Sequence, residues 1–152
     1  MDILSGLFYI NGVDVYEEYG AFLSEDKQGD TTNYSSLLKA PAVKAQKEVS
    51  VRERDGVDVP NAIVQTWQAR DVSLQFTILA EDRVSFLKRY GAFISMLKKG
   101  NQGWLDLYLP ELDRHFNVYY KDSSKYKQLT GFEGEVGGKF HVKFREPKPN
   151  FD

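Results

Sequence analysis

Apolar and polar residues alternate along several stretches of the chain, which is the pattern of strands with one buried face. The strictest alternation runs from Asp71 to Ala80, where every second residue is large and apolar: Val72, Leu74, Phe76 and Ile78. Shorter strands are predicted over 104–109, 114–121 and 139–145.

The first 25 residues are predicted to form short strands separated by turns. Asn11-Gly12 is a strong signal for a type I′ hairpin turn, with return strand 13–15. A second turn at Tyr19-Gly20 leads into a strand over 21–24. Residues 25–36 are polar without a period and predict a loop. Residues 122–138 carry few strong signals, and the glycine-rich run 131–138 predicts a loop or bulged turn.

One helix is predicted, over about 82–99. Asp82 is suited to the N-cap, two lysines end the last turn, and Gly100 is placed to take the left-handed position after it. A wide apolar stripe at spacings of three or four fits a helix packed on a core. Its predicted members are Val84, Leu87, Gly91, Ile94 and Leu97, with Phe86, Tyr90 and Phe93 alongside.

Residues 47–59 predict a hairpin of a different kind. Val49 and Val51 alternate with polar residues, and Asp55-Gly56 supplies the turn. Because so many of its side chains are charged, this hairpin contributes little to a core. We expect it to project from the body or to lie on a partner.

These elements predict a mainly β (α+β) fold, either an antiparallel β-sandwich or a barrel-like sheet, with one flanking helix. A chain of 152 residues favours one domain, which we assign to 1–146. Two prolines after the last strand predict a loose C-terminal tail over 147–152.

Composition excludes several function classes. There is no cysteine, so a disulfide framework, a thiol nucleophile and a cysteine zinc site are excluded. No stretch approaches the ~20 apolar residues of a membrane span. The acid at Asp2 and the lack of a long apolar segment lead us to expect no Sec-type export. A net charge of −2 argues against nucleic-acid binding through a basic field.

The charge is unevenly distributed. Residues 1–30 carry a net charge of −6, whereas residues 114–152 carry +3. An acidic start and a basic end pair either within one fold or between neighbouring subunits. The alternative is a mixed, solvated surface.

Candidate catalytic and metal-binding patterns are weak. On a strand, Asp113 and His115 share a face, so the carboxylate is placed to orient the imidazole, but a surface turn explains the same residues. His115 and His141 lack metal-ligand spacing, and neighbouring acids such as Glu17-Glu18 normally point apart. The glycines match neither a P-loop nor a dinucleotide fingerprint. We expect no enzyme activity, no cofactor and no metal.

Aromatic residues make up 14% of the chain, a class enriched in protein interfaces. Many fall on inward strand positions and belong to the core. Those less easily buried are candidates for a subunit interface, the alternative being half-buried packing: Tyr9, Tyr16, Tyr19, Tyr34, Trp67, Tyr108, Tyr119 and Tyr126.

Three stretches resemble the distal tail proteins of phages and prophages. The segment 8–15, followed by Tyr19-Gly20-Ala21, is similar to the F-x-I-N-G-x-D…Y-G start of that family. The segment 70–76 and the helix ending at Gly100 resemble its strand-then-helix unit. Residues 103–107 and 110–113 resemble the hairpin that follows. Together these stretches cover most of residues 7–121.

The resemblance implies a ring-forming structural subunit, commonly hexameric, that joins the tail tube to the tail tip or baseplate. Its partners would be copies of itself and other tail-tube and tail-tip proteins, with no nucleic acid and no membrane. It implies a place in the virion tail, after assembly in the bacterial host cytoplasm. Hairpin 47–59 would be an arm or belt reaching a neighbour.

Many members of that family continue into a second domain with receptor- or sugar-binding modules. Because this sequence ends near residue 152, we expect no such module. The rival hypothesis is a carbohydrate-binding or adhesin-like β-domain whose exposed tyrosine and tryptophan side chains stack on sugar rings.

Overall fold

The structure, a computed structural model, describes residues 4–151. Its helices are α1 (Val15–Tyr19), α2 (Thr32–Leu38) and α3 (Arg83–Lys99). Its strands are β1 (Tyr9–Ile10), β2 (Val13–Asp14), β3 (Ala21–Leu23), β4 (Arg70–Ala80), β5 (Trp104–Leu109), β6 (Arg114–Gln128) and β7 (Val136–Glu146). No helix in this described part of the chain is long and apolar enough to cross a membrane.

The strands form one continuous antiparallel sheet in the order β2-β1-β5-β6-β7-β4-β3. β6 changes partner along its length, since residues 114–119 pair with β5 and residues from 119 onward pair with β7. The ring of Phe8, the residue before β1, lies 5.7 Å from the ring of Phe76 in β4, although β1 and β4 are not neighbours in the sheet. The sheet therefore folds over a shared core, and the predicted antiparallel sheet with a flanking helix is confirmed.

The core is rich in phenylalanine. The predicted alternation of β4 is confirmed, because its four large apolar side chains are fully buried. Phe76 at the centre of β4 packs against Phe93 of α3 at 5.2 Å and against Phe140 of β7 at 6.1 Å. One hydrophobic cluster thus joins the sheet and the helix.

Helix α3 begins and ends close to the predicted positions. The Asp82 carboxylate accepts a hydrogen bond from the Ser85 amide at 2.8 Å, which confirms the N-cap. Gly100 has a positive φ of 47°, but its ψ of −149° is not that of the left-handed helix. A side chain there would collide with the Trp104 carbonyl oxygen, so glycine is required.

The buried face of α3 confirms the predicted stripe in part, since its buried residues all belong to the predicted set. Phe86, Phe93 and Leu97 are buried, whereas Val84 and Leu87 are exposed by 68% and 54%. The two sets follow similar helical spacings. The aromatic set turns inward because large rings remove more apolar area from water.

The N-terminal hairpin is confirmed, with positive φ at both Asn11 and Gly12. The predicted return strand over 13–15 is wrong at its end, because α1 begins at Val15. The Asp14 carboxylate accepts a hydrogen bond from the Tyr16 amide at 3.0 Å and caps this short helix. Gly20 ends α1 in the left-handed conformation.

The predicted loop over 25–36 is also wrong in part, since it contains most of α2. The Glu25 carboxylate accepts hydrogen bonds from the first amides of α2, at Thr32 and Asn33. Side-chain oxygens of Asn33 and Ser36 accept hydrogen bonds from amides of β4. α2 therefore covers the part of the β4 edge that β3 leaves open.

The predicted loop or bulged turn over 131–138 is wrong at its end, and the residues before it, which carry few strong sequence signals, include the end of a strand. β6 continues to Gln128 and β7 begins at Val136. Most side chains of this last part of β6 are exposed, and backbone pairing to β7 holds the strand. The bulges between Tyr120 and Asp122 and between Ser124 and Lys127 interrupt its register.

Residues 43–67 form a segment outside the sheet that we call the arm. A bridge between Val43 and Trp67 closes its base, and a bridge between Val49 and Asp58 joins its two limbs. Nearly all of its residues are exposed, as expected for the projecting hairpin over 47–59. These two isolated bridges join its limbs, which are not regular strands.

Residues 147–151, in the expected tail, form no helix or strand but contact the body. Pro149 is buried, and the Phe151 ring lies 6.3 Å from the Trp67 ring.

Candidate functional site

Aromatic side chains from three neighbouring strands share the outer face of the folded sheet. On β5, the leucines point into the core, so Trp104, Asp106 and Tyr108 point outward. Register pairs place Tyr9 of β1 beside Tyr108, and His115 and Tyr119 of β6 beside Tyr108 and Trp104. We call this surface the outer aromatic face: Tyr9, Trp104, Tyr108, His115 and Tyr119.

One end of the outer aromatic face is a ladder of three rings. Tyr108 lies 6.2 Å from Tyr9 and stacks on the His115 ring at 4.4 Å. The Tyr108 hydroxyl donates a 3.0 Å hydrogen bond to the Asp113 carboxylate. This hydrogen bond is the main reason that the pKa of Tyr108 is raised.

Asp113 and His115 form a surface turn followed by an exposed histidine, as the simpler interpretation expects, and the Asp113 carboxylate does not orient the imidazole. Asp113 lies in the turn before β6 with a φ of 47°, and its carboxylate accepts from Tyr108. His115 Nδ1 instead lies 3.0 Å from the carboxylate oxygens of Asp106. With the imidazole 64% exposed, the pair is an open surface contact.

The other end of the face is a depression beside Trp104 and Tyr119. Their rings meet edge to face at 5.9 Å, and both side chains are about 40% exposed. The depression measures about 340 Å³ and is also lined by Lys98, Gln102 and Tyr120.

Charged residues continue the same outer surface across β7 and β4, where Arg145 pairs with Tyr119 and Asp71 with Arg145. Burial opposes ionisation of Asp71. Hydrogen bonds from Arg145 and Lys121 outweigh this burial and lower the pKa of Asp71. This region of the face therefore carries a network of paired charges.

Three of the eight predicted interface residues, Tyr9, Tyr108 and Tyr119, thus lie on the outer aromatic face. Tyr16 contacts Phe22 at 6.2 Å, and Tyr19 packs on Phe93 at 5.6 Å at the edge of the core. These two do not join the face.

The remaining candidates lie elsewhere. Trp67 is at the base of the arm, and Tyr126 packs near Tyr90 and Phe140. The Tyr34 hydroxyl donates a hydrogen bond to the Glu111 carboxylate. Burial, followed by the Glu111 contact, raises the pKa of Tyr34 to about 12.

Arg70 joins β4 to β7, to the end of α2 and to the C-terminal segment. Its Nε donates to the Glu146 carboxylate at 2.6 Å, and both side chains are buried. Its other nitrogens donate to carbonyl oxygens at the end of α2, including Leu37 and Lys39. The guanidinium also lies over the Phe151 ring at 5.0 Å.

Part of the charge asymmetry is accounted for by an ion pair within the chain. Lys139 Nζ lies 2.6 Å from the Asp26 carboxylate, which joins the acidic first part to the basic last part. Hydrogen bonding to Lys139 lowers the pKa of Asp26. Pairing within one fold therefore accounts for some of the asymmetry predicted from the sequence.

The second histidine, His141, lines a polar pocket of about 250 Å³ with Glu25, Asp26 and Gln75. Burial is the main cause of its lowered pKa, followed by the nearby Lys125. Between residues 4 and 151, no three histidine or acidic side chains are grouped so as to hold a metal ion.

Sequence reasoning missed Trp104 and His115 as members of the aromatic surface. The sequence contains a signal for their exposure, because Trp104 and His115 occupy the positions that alternate with buried leucine and phenylalanine residues of their strands. The strand register that joins them to Tyr9 and Tyr119 was needed to show it.

A scan against protein-family models and a search of curated proteins found no match. Among solved structures, the chain is similar to SPP1 Dit (gp 19.1), described as a paradigm of the hub adsorption apparatus in phages infecting Gram-positive bacteria. The TM-score is 0.58 at 10% sequence identity, and the match covers 91% of this chain. It covers 48% of the Dit chain, so this chain spans about half of that protein's length. The likeness shows a fold like that of a phage distal tail protein.

Proposed function

We propose that this chain is a structural subunit of a phage or prophage tail and not an enzyme. The observation that carries the proposal is the fold shared with SPP1 Dit over 91% of the chain. In this proposal, one domain over 1–146 self-associates into a ring, expected to be hexameric, and links the tail tube to the tail tip or baseplate. Its place is the virion tail, after assembly in the host cytoplasm.

Two features of the surface support a role in association. The outer aromatic face exposes side chains that are typical of interface cores. The arm exposes Val49, Val57, Val59, Ile63 and Val64, each by at least 45%. A head-to-tail ring needs two different complementary patches on each subunit, and these two surfaces are of different kinds.

The test is the native mass in solution, measured by light scattering over a range of protein concentrations at low and moderate salt. We expect a closed oligomer, with six copies as the leading number. A monomer at every concentration and salt would contradict self-association.

Salt separates the electrostatic part of the association from the apolar part. If charged patches hold the subunits together, raising salt from about 0.05 M to 0.5 M dissociates the oligomer at a fixed protein concentration. If the mass of the oligomer does not change with salt, apolar surfaces and not charges hold the subunits together.

Carbohydrate binding is the second candidate function. The depression beside Trp104 and Tyr119 favours it, because exposed rings beside the polar groups of Gln102 and Lys98 suit a sugar. An oligosaccharide array would test it with the wild-type chain and with Trp104→Ala. If the wild-type chain binds an oligosaccharide and the variant does not, carbohydrate binding is supported. If no oligosaccharide on the array binds the wild-type chain, this function is contradicted.

A further inference from the structure

The connection between β6 and β7 presents a phenylalanine to solvent. We call residues 129–135 the β6–β7 loop. Its Phe132 is 51% exposed and does not belong to the hydrophobic cluster of the core. The Thr130 hydroxyl closes the neck of the loop, since it accepts a hydrogen bond from the Gly137 amide at 3.2 Å and lies 3.1 Å from the Glu135 carbonyl oxygen. Phe132 therefore stands at the tip of a loop whose base is held in place.

An apolar groove lies between the second half of α3 and the N-terminal hairpin, and we call it the α3 groove. It measures about 410 Å³, a volume that admits an aromatic side chain. The groove has this room because α3 presents the small, exposed side chains of Ala92 and Ser95 there. Its other walls are mainly apolar: Ile10, Val13, Tyr19 and Met96. The groove is therefore suited to an apolar side chain from another surface.

The β6–β7 loop of one chain is not placed in its own α3 groove. Val136, which follows the loop, pairs with Ala80 at the end of β4, and Gly138 packs against the Phe86 ring near the start of α3. The groove is lined by the last turns of α3. From Phe86 to Met96, α3 rises by about 15 Å. The loop and the groove thus lie toward opposite ends of this helix, which suits a contact between two copies.

The charges beside the two features are complementary. Glu133 and Glu135 follow Phe132, both are exposed, and the loop contains no basic residue. Among the described residues, Lys99 is the one charged residue that lines the groove, and Lys98 precedes it. Two loops repel each other, as do two grooves, whereas a loop and a groove attract. These charges therefore favour a head-to-tail contact over a symmetric one.

We propose that Phe132 of one copy inserts into the α3 groove of a second copy, with Glu133 and Glu135 beside Lys98 and Lys99. This inference rests on the self-association in the proposed function and adds a contact to it. A head-to-tail contact repeats from copy to copy and closes into a ring when the rotation between copies allows it. An aromatic side chain that fills a pocket commonly carries a large share of the binding free energy, so Phe132 is the anchor of this contact.

The cysteine-free chain allows a direct test by mixing two single-cysteine proteins. One carries Glu133→Cys, which keeps Phe132, and the other carries Lys98→Cys or Lys99→Cys. The matched control is Lys39→Cys, an exposed lysine at the end of α2. Because a disulfide needs neighbouring Cβ atoms, we expect mild oxidation to give about tenfold more mixed disulfide with one of the two α3 variants than with the control. Mass spectrometry distinguishes mixed disulfides from those between like chains.

The result separates the two proposals. An oligomer in which the loop cysteine joins α3 in excess of the control supports both. An oligomer without this excess overturns the contact between loop and groove and leaves self-association standing. A chain that stays monomeric and does not cross-link overturns both.

Substitution of the anchor and of the groove is the second measurement. Phe132→Ala removes the ring, and Ser95→Trp fills the groove, so each is expected to weaken association at least about tenfold in light scattering. The matched control is Leu38→Ala, an apolar residue of α2 that is 47% exposed and should leave association unchanged. Circular dichroism confirms that each variant is folded. Unchanged association in folded Phe132→Ala would overturn the contact, whatever Ser95→Trp does.

Discussion

The body and the arm use apolar residues in opposite ways. In the body, phenylalanine and leucine side chains from β4, α3 and β7 are fully buried in one cluster. In the arm, four valines and one isoleucine are exposed to solvent, and only two isolated bridges join the limbs. The body is thus held by its own contacts, whereas the arm gains little from burial within the chain.

This difference teaches where to look for partners. Single exposed apolar residues are normal on a protein surface. Several of them on one segment with few internal contacts mark a segment that another surface can bury. We therefore expect substitutions in the body to lower the free energy of unfolding, and substitutions in the arm to change association alone.

The largest expected effect is on the body core. Phe76→Ala removes a ring that contacts Phe8, Phe93 and Phe140, and we expect a loss of about 3–5 kcal/mol in the free energy of unfolding. Val57→Ala in the arm is expected to change it by less than about 0.5 kcal/mol. Urea unfolding followed by circular dichroism, at one protein concentration, measures both. Equal effects would remove the contrast between body and arm.

Ion pairs give the next comparison. Glu146→Ala leaves the Arg70 guanidinium buried without its carboxylate, and we expect a cost of about 3 kcal/mol. Arg54→Ala breaks the exposed pair with Asp58 in the arm and should cost less than about 0.5 kcal/mol. The same urea measurement applies. A small effect of Glu146→Ala would show that Arg70 does not depend on this partner.

Phe151 tests how the two regions are joined. Its ring contacts Trp67 and lies under the guanidinium groups of Arg70 and Arg114. We expect Phe151→Ala to cost about 1 kcal/mol in the body and to speed hydrogen exchange about tenfold at the arm base. The reporting amides are Lys44 and Gln68, which donate across that base.

The control for Phe151 is Phe132→Ala, whose ring is 51% exposed. It should leave exchange at Lys44 and Gln68 unchanged. An unchanged rate in Phe151→Ala as well would show that the arm base holds without the C-terminal contact.

The sequence predicted the elements whose own residues determine them. β4 has a strict apolar alternation, and α3 has the Asp82 cap and the aromatic spacing. The end of β6 was missed because its side chains are exposed on both faces and its pairing is by backbone alone. α2 was missed because distant groups hold it: Glu25 at its start, Arg70 at its end.

The candidate surface was predictable only in part. Interface candidates were chosen from the sequence by residue type. Three of them, Tyr16, Tyr19 and Tyr34, instead make contacts within the chain. The outer aromatic face needs the register of β1, β5 and β6, which alternation alone does not supply. The last part of β6 pairs with β7 alone because β5 begins opposite Tyr119, and no local pattern in β6 shows this.

The smallest expected effect concerns a tyrosine of the body, since the arm contains none. Burial and the Glu111 contact raise the pKa of Tyr34 from 10.0 to about 12. The folded state therefore keeps this proton longer than the unfolded chain does. Its contribution to stability is complete below pH 10 and is lost as the pH rises through about 12. Absorbance of tyrosinate, taken as wild type minus Tyr34→Phe, should show one late-titrating group.

Glu111→Gln separates the two causes of this shift. Because burial is the larger cause, we expect Tyr34 to titrate at a lower pH than in the wild type but still above 10. A difference spectrum with its midpoint at 10 in the wild type would show that Tyr34 is open to water. In that case α2 does not pack against the β5–β6 turn, and α2 would not belong to the stably folded body.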